Sequence, residues 1–516
     1  MTVEKKRLAI NIAAQLISFT VQLLISFLLT PFVVKRLGVD AYGFIGLADN
    51  FVLYAQLLVI ALNSMSIRFV SIAYYRNDMK GVNEFASSVL YANLFIATVV
   101  FVISLILILF LEDILIIPNK LIVDVKLLFF LMFLIFEISI VFSIYQASTF
   151  IKNRLELNSI RTIVANIIKV LILVLTFGCF KPYLFYMGIA SLACAVYIAF
   201  TNIRYTRILT PKIKISFKYF EINKIKILLS SGLWNTFTKL GNLLGENLDL
   251  LLTNLYVSAV AMGNLSLAKK IPVIVLSLIS SICVAFGPLL TKSFALNDLE
   301  EMKKQMFFSI KLISSLSIIP LCFLYALSDL FYRLWVPEVD SQNLYIITII
   351  FSLPLILSLA LEPIQHIIVI TNKVKGYSIA TLFFNSLNFL SLLIIVKTAP
   401  PSYMLYYMVG AISFWALLRV GLFLPIYSAY CINERKSFFY TILLRILLAF
   451  FMSVIVSLFL KNMIIINDTW INLIKGSILV LFVCILFSWL IIFDKETRKR
   501  LELLISDKLI SCNFKS

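Results

Sequence analysis

Long apolar blocks alternate with short polar connectors down the whole chain. The blocks fall at about 9–34, 44–66, 85–111, 125–150, 160–178, 183–201, 227–254, 264–291, 305–327, 343–370, 378–397, 403–430, 438–460 and 471–493. Each is long enough to cross a hydrocarbon core about 30 Å thick. In lipid a backbone must satisfy its own hydrogen bonds, so the blocks read as helices. A closed β-barrel is excluded, because its strands would run about ten residues with alternating polarity. The pattern predicts an all-α integral membrane protein of about fourteen transmembrane helices. The longest connector is 202–226, and none is large enough for a folded catalytic domain.

Composition agrees: 61% of the 516 residues are hydrophobic and 14% charged, with a mean hydropathy of +1.02. A soluble domain carries about 25% charge and a polar surface over each core. Lys5, Lys6 and Arg7 precede an apolar stretch too long for a signal-peptide core, so no cleavable leader is expected. The seven cysteines are scattered without a CxxC pair, which predicts neither a disulfide framework nor a metal site.

Charge orients the chain. With the N-terminus inside, connectors and tails on the cytoplasmic side carry roughly 29 Lys and Arg against about seven outside. Both termini are therefore expected in the cytoplasm. The same bias accounts for most of the net charge of +19, which removes the reason to invoke nucleic acid. In the linker, Lys212, Lys214, Lys218, Lys224 and Lys226 suggest contact with anionic lipid.

A shift of 220 residues aligns the chain weakly with itself. Gly43, Leu47 and Ala48 fall on Gly263, Leu267 and Ala268, and Asn77-Asp78 on Asn297-Asp298. With one residue of slip, Gln146, Asn153, Arg154, Ser159 and Ile160 fall on Gln365, Asn372, Lys373, Ser378 and Ile379. This predicts an N-terminal six-helix bundle over 1–201, a basic cytoplasmic linker over 202–226 and a C-terminal six-helix bundle over 227–430. Two extra helices and a cytoplasmic tail follow over 431–516. Units of six helices share one orientation, and such repeats hold substrate near the midplane.

Polar residues inside the spans supply the candidate site. Asn235, Lys239, Asn242, Glu246 and Asp249 follow one another at spacings of four, three, four and three, one stripe along the seventh helix. The first helix carries Asn11, Gln15, Ser18, Gln22 and Ser26. The 220 shift superposes Gln15 and Gln22 on Asn235 and Asn242. Two matching polar faces suit a shared aqueous cavity; the plainer alternative is an ion pair between Lys239 and Glu246. Lys169 with Asn166 matches Asn388 with Asn385, and Arg419 lies near the middle of the twelfth helix. A charge at such depth costs about 2.5–3.5 kcal/mol on the insertion scale, so it faces a bundle interior or cavity. Lys311 and Arg445 are near enough to the cytoplasmic end to snorkel. Glu137 is isolated, and His366 shares a face with Glu362, as a proton relay or as an interfacial histidine. HExxH, GxSxG, Walker and EF-hand motifs are absent, leaving no sequence support for catalysis, ATP hydrolysis or metal chemistry.

The segment FLLTPFVVKRLGVDAYGFIGLADN (Phe27–Asn50) resembles the opening of bacterial polysaccharide transporters, the Wzx-type O-antigen and capsule flippases. ENLDLLLTNLYVSAVAMGNLSLAKKI (Glu246–Ile271) is similar to that family's seventh-helix Asp, outer loop and Gly-x-x-x-Leu-Ala entry. The likeness is diffuse but spans the chain. It implies the two-bundle fold of the multidrug/oligosaccharidyl-lipid/polysaccharide exporter superfamily and an undecaprenyl-diphosphate-linked oligosaccharide as substrate. It also implies a cationic lumen for the head group and a groove for the lipid tail, to which helices thirteen and fourteen contribute. Asp249 and Gly263 carry over most directly. Glu246 and Asp249 either bind a coupling ion (H⁺ or Na⁺) or hold Lys239 charged. Membrane lipids and other polysaccharide assembly proteins are the partners implied. A cation-coupled multidrug exporter and a lipid II flippase are the competing readings; a membrane polymerase would need a large outer loop.

Overall fold

A computed structural model describes residues 3–152, 154–283, 286, 290, 293–294, 298–371, 373–464, 467–495 and 497–498. Within these, the side chains of 3–10, 12, 13, 16, 246, 369, 436–438, 463 and 464 are left aside. Asn153, Lys292, Asn297, Asn372 and most of the tail therefore lie outside the described residues, as does the Glu246 side chain.

The described chain is helical and has no strand. The helices are α1 (Val3–Leu37), α2 (Val39–Tyr75), α3 (Met79–Leu109) and α4, which is bent by 53° between Asn119–Val141 and Ser143–Ile151. Then come α5 (Leu155–Cys179), α6 (Phe185–Leu209), α7a (Ile222–Glu246), α7b (Asp249–Tyr256) and α8 (Ala259–Cys283). After α9 (Leu299–Trp335), α10 is interrupted into Ser341–Ser352, Leu355–Ser358 and Glu362–Ile370. The last are α11 (Val374–Thr398), α12 (Met404–Ile432), α13 (Lys436–Ile464) and α14 (Trp470–Ile492).

By length and apolarity eleven of the described helices can cross a membrane, or twelve with the bent α4. The expected count of fourteen is not reached on these grounds: the expected span 343–370 is broken into short helices, and 227–254 stops at 246 in a helix, α7a, that is long enough but too polar. Gly245 and the polar residues Glu246, Asn247 and Asp249 surround the break in α7, and Pro354 and the turn at 359–361 interrupt α10. Glycine and proline are the poorest helix formers.

Helix starts keep the repeat register. Val39 and Ala259, and Met79 and Leu299, lie 220 apart; Leu155 and Val374, and Phe185 and Met404, lie 219 apart. Asp78 Oδ1 caps α3 by accepting from Gly81 N at 2.9 Å, and Asp298 Oδ1 caps α9 by accepting from Glu301 N at 3.0 Å. A carboxylate over the free N–H groups of a helix start is a strong cap. Gly43 and Gly263 are each the fifth residue of their helix.

Two compact units divide the chain, Met1–Ser266 and Leu267–Ser516. In the first, α7a lies along α2. Lipid tails are as apolar as leucine, so close packing through small residues drives such association. A Cβ built on Gly43 would stand 2.8 Å from Gly263 N. One built on Gly232 would collide with the Ala61 backbone carbonyl. In the second unit, α9 meets α13 and α14 through Ser314, Ser317, Cys322, Ser453, Ser457 and Cys484, all at most 1% exposed.

Ion pairs hold both ends of the α13–α14 hairpin to α9. Lys311, expected to snorkel, reaches Asp494 Oδ2 at 2.6 Å. At the other end Arg333 Nε lies 3.4 Å from Asp468 Oδ2, and Lys461 Nζ donates to Ala326 O at 2.9 Å. Burial alone would raise the Asp494 carboxyl, but hydrogen bonds from Lys311 and Thr497 outweigh it and hold it at about 2. That contribution is present above the ordinary carboxylate range and is lost as pH falls through about 2.

Gly232→Ala is expected to destabilise the protein by about 1–3 kcal/mol through overpacking against α2. Gly178→Ala is the control. A Cβ there meets nothing within 4 Å, so the change should be neutral or slightly stabilising. Thermal unfolding in detergent checks both.

Candidate functional site

The seventh helix is where backbone and side-chain chemistry meet. α7a ends at Glu246, and Asn247 leaves the helix at φ −124°, ψ −4°. Its carbonyl accepts from Asn50 Nδ2 at 2.8 Å and from Tyr54 Oη at 2.6 Å, both on α2. Non-helical backbone at membrane depth is tolerated only where protein or a wet cavity satisfies it. α2 provides both donors for this carbonyl.

The break divides the expected stripe. Asn235, Lys239 and Asn242 are half-buried, and Asn235 and Lys239 follow Gly232 at three and seven residues, on the side of α7a that meets α2. On the opposite face Leu233, Trp234 and Phe237 are exposed, as a lipid-facing surface requires. Asp249 opens α7b instead, 1% exposed, and its Oδ1 accepts from Leu250 N at 2.8 Å. A carboxylate at a helix start is favoured by the backbone dipoles. Fully buried Asn254 then fixes α7b, accepting from Ile116 N at 3.0 Å and donating to Ile116 O at 3.1 Å. The expected Lys239–Glu246 pair lies outside the described side chains.

On α1, Gln15 and Gln22 are exposed. Asn11 and Ser18 are buried, and Asn11 Oδ1 accepts from Glu156 N at 3.0 Å where α5 packs on α1. Lys169 is half-buried on α5 within electrostatic reach of Cys194 on α6. Its repeat counterpart Asn388 and neighbouring Asn385 are buried. Arg419 is half-buried where α12 widens into a π-turn, Arg419–Phe423, a distortion frequent at functional sites. Arg445 is exposed.

The other two breaks also carry polar side chains. At the α4 bend Asn63 and Asn93 exchange two amide hydrogen bonds of 2.9 Å each, and Asn93 donates to the freed Ile140 carbonyl at 2.9 Å. In α10, Glu362 accepts from Ser280 Oγ at 3.0 Å and from Gln365 Nε2 at 3.1 Å, with half-buried His366 one turn on. Among the described residues no group of three or more His, Cys, Asp or Glu gathers as a metal site.

Two lysines escaped the sequence reading. Lys269 and Lys270 lie in the middle of α8, both half-buried, with Lys269 Nζ 5.2 Å from the Phe351 ring centre. Adjacent lysines inside an apolar block were the available signal, and the 220 shift superposes them on Asp49 and Asn50. Beside them in the second unit runs an apolar cavity of about 450 Å³ along α8, α9 and α14. Val275, Ile282, Leu316, Phe323 and Val480 line it, and Ser477 is its one polar residue.

Residues 8–294 match the family model described as polysaccharide biosynthesis protein. The chain is 27% identical over 496 residues to the uncharacterized membrane protein EpsK of Bacillus subtilis (strain 168), covering 96% of this chain and 97% of that one. Among solved structures it is similar to an inward-facing multidrug resistance MATE family transporter of the MOP superfamily. That match has a TM-score of 0.60 and 14% identity, covering 82% of this chain and 98% of the other. It is also similar to the lipid II flippase MurJ in an inward closed conformation, with a TM-score of 0.56 and 15% identity, covering 87% and 97%. At these identities the structures speak for the fold.

Asn50→Leu combined with Tyr54→Phe should leave the Asn247 carbonyl without its α2 partners. The expected loss is about 1–3 kcal/mol of stability, measured by thermal unfolding, with Tyr54→Phe alone costing about 1 kcal/mol.

Proposed function

The chain belongs to the polysaccharide biosynthesis protein family, and from that premise we propose that it is a flippase for undecaprenyl-diphosphate-linked oligosaccharide. It carries these units across the bacterial plasma membrane for surface polysaccharide such as O-antigen or capsule, with both termini cytoplasmic. The observation that carries this reading is the chain's mixed chemistry. Lys239 sits in the polar stripe of α7a and Lys269 and Lys270 inside the apolar α8, while α8, α9 and α14 wall an almost wholly apolar cavity. A diphosphate crosses hydrocarbon unaided at prohibitive cost, and ammonium groups offer it charge-assisted hydrogen bonds. A polyprenyl tail asks for the reverse, a surface without polar partners. A ligand with both parts suits both features.

Alternating access of the two repeated halves would move the head group, with Asn235, Asn242, Gln15 and Gln22 as hydrogen-bonding partners for sugar hydroxyls. Lys169 and Arg419 are further cationic positions for the same path. Glu362 or Asp249 would take a coupling ion, H⁺ or Na⁺. Multidrug export is the second reading, favoured by the fold it shares with a MATE transporter. A carrier of lipophilic cations would be served by carboxylates rather than lysines at these depths.

Surface polysaccharide in cells lacking the native gene tests the reading. Lys239→Ala should lower it at least tenfold and Lys239→Arg should keep part of it, since Arg preserves the charge and chelates phosphate. At matched expression, full activity of Lys239→Ala would end the binding role. Recovery in Lys239→Ala with Glu246→Ala would reduce Lys239 to a structural ion pair.

A further inference from the structure

Between α6 and α7a the chain does not hang as a loose linker. From Thr210 to Glu221 it runs as a strap along one end of α3, its backbone held by α3 side chains. Asn83 Oδ1 accepts from Lys214 N at 2.8 Å, and Ser87 Oγ accepts from Ser216 N at 3.1 Å. Ser88 Oγ accepts from Glu221 N at 2.9 Å and donates to Glu221 O at 3.1 Å. The strap alternates with the period of an extended chain. Ile213 and Ile215 pack inward against the cluster around Val82 and Val89, while Lys212 and Lys214 point outward and are exposed.

Its second half is aromatic. Phe217 and Phe220 stack with ring centres 5.7 Å apart, and Phe217 packs edge-on against Tyr91 of α3 at 5.2 Å. Even so, Phe217 is 68% exposed. A large apolar ring left open beside lysines is costly in water but stable at a bilayer interface, where rings sit at the acyl boundary and ammonium groups among the phosphates.

Depth agrees with that placement. α3 has 31 residues, about 46 Å at 1.5 Å per residue, so it overhangs a core of about 30 Å by about 8 Å at each end. Asn83, about 6 Å along α3, then stands at the headgroup boundary, and Tyr91, about 18 Å along, lies about 10 Å inside the hydrocarbon. Glu221 closes the strap, and Glu84 on α3 beside it is taken by Lys224 at 3.2 Å and Lys80 at 3.8 Å. Among the described residues Lys212, Lys214 and Lys218 have no ion-pair partner.

We propose that this strap is a binding site for anionic phospholipid headgroups, with Lys212, Lys214 and Lys218 on the phosphates and Phe217 wedged at the acyl boundary. It is independent of what the protein transports.

The test uses the full chain in phosphatidylcholine nanodiscs with increasing phosphatidylglycerol, reading lipid retained by native mass spectrometry. The unaltered protein should retain phosphatidylglycerol over phosphatidylcholine. Replacing Lys212, Lys214 and Lys218 together by Gln should cut that preference at least threefold, while replacing all three by Arg should preserve it. Phe217→Ser should weaken retention of both lipids. Lys181→Gln, at the opposite end of α6 from the strap, should change nothing. An unchanged preference in the Gln variant, or an equal loss in the control, would overturn the proposal. Displacement of phosphatidylglycerol from the unaltered protein by equimolar undecaprenyl diphosphate would also overturn it, by assigning the strap to the carried lipid.

Discussion

A carbonyl that leaves a helix inside a bilayer has no water to turn to, and the architecture of this protein follows from where such carbonyls find partners. Where the sequence is uniformly apolar the helices run unbroken. Where one is interrupted, a neighbour supplies the missing hydrogen bonds. Asn50 and Tyr54 do so for Asn247, and Asn93 joins the local Ser143 hydroxyl in doing so for Ile140. The donors at the seventh-helix break come from α2, which is also the helix that α7a approaches closely through Gly232. Close packing and backbone satisfaction thus fall on the same pair of helices. The polar residues of α7a stand beside that contact, on a helix whose course is fixed by it.

Much of this was legible in the sequence because hydropathy reports the dominant constraint directly. Every expected apolar block contains helix, and the caps at Asp78 and Asp298 keep the expected spacing. The breaks were not legible. Gly245 and Pro354 announce a weak point, but an apolar run on either side of it reads the same whether the helix continues or stops. The same ambiguity joined Asp249 to the stripe. Four-and-three spacing holds only along one continuous helix, and a stop at Asn247 turns Asp249 into a buried opening residue of α7b. Lys269 and Lys270 went unnoticed because the residues that share a face with Lys270, Ser266, Ser277 and Ser281, are small hydroxyls common inside apolar helices; the lysines' meaning comes from the Phe351 ring and the apolar cavity beside them.

The second unit shows how one fold acquires two kinds of surface. Hydroxyls and thiols at the meeting of α9 with α13 and α14 allow close approach, and ion pairs lock both ends of the added hairpin. An apolar cavity lies along α8, α9 and α14, while α8 carries lysines within the same span. Cationic and apolar surfaces are therefore built on shared helices.

Flipping in reconstituted proteoliposomes tests the central claim most directly. A fluorescent undecaprenyl-diphosphate oligosaccharide is placed in both leaflets, and a membrane-impermeant quencher reads how much reaches the outside. The account predicts protein-dependent loss of the protected half, abolished by Lys239→Ala and insensitive to lipophilic cations. A protected fraction that stays at one half with the unaltered protein, alongside uptake of a lipophilic cation by the same vesicles, would contradict it.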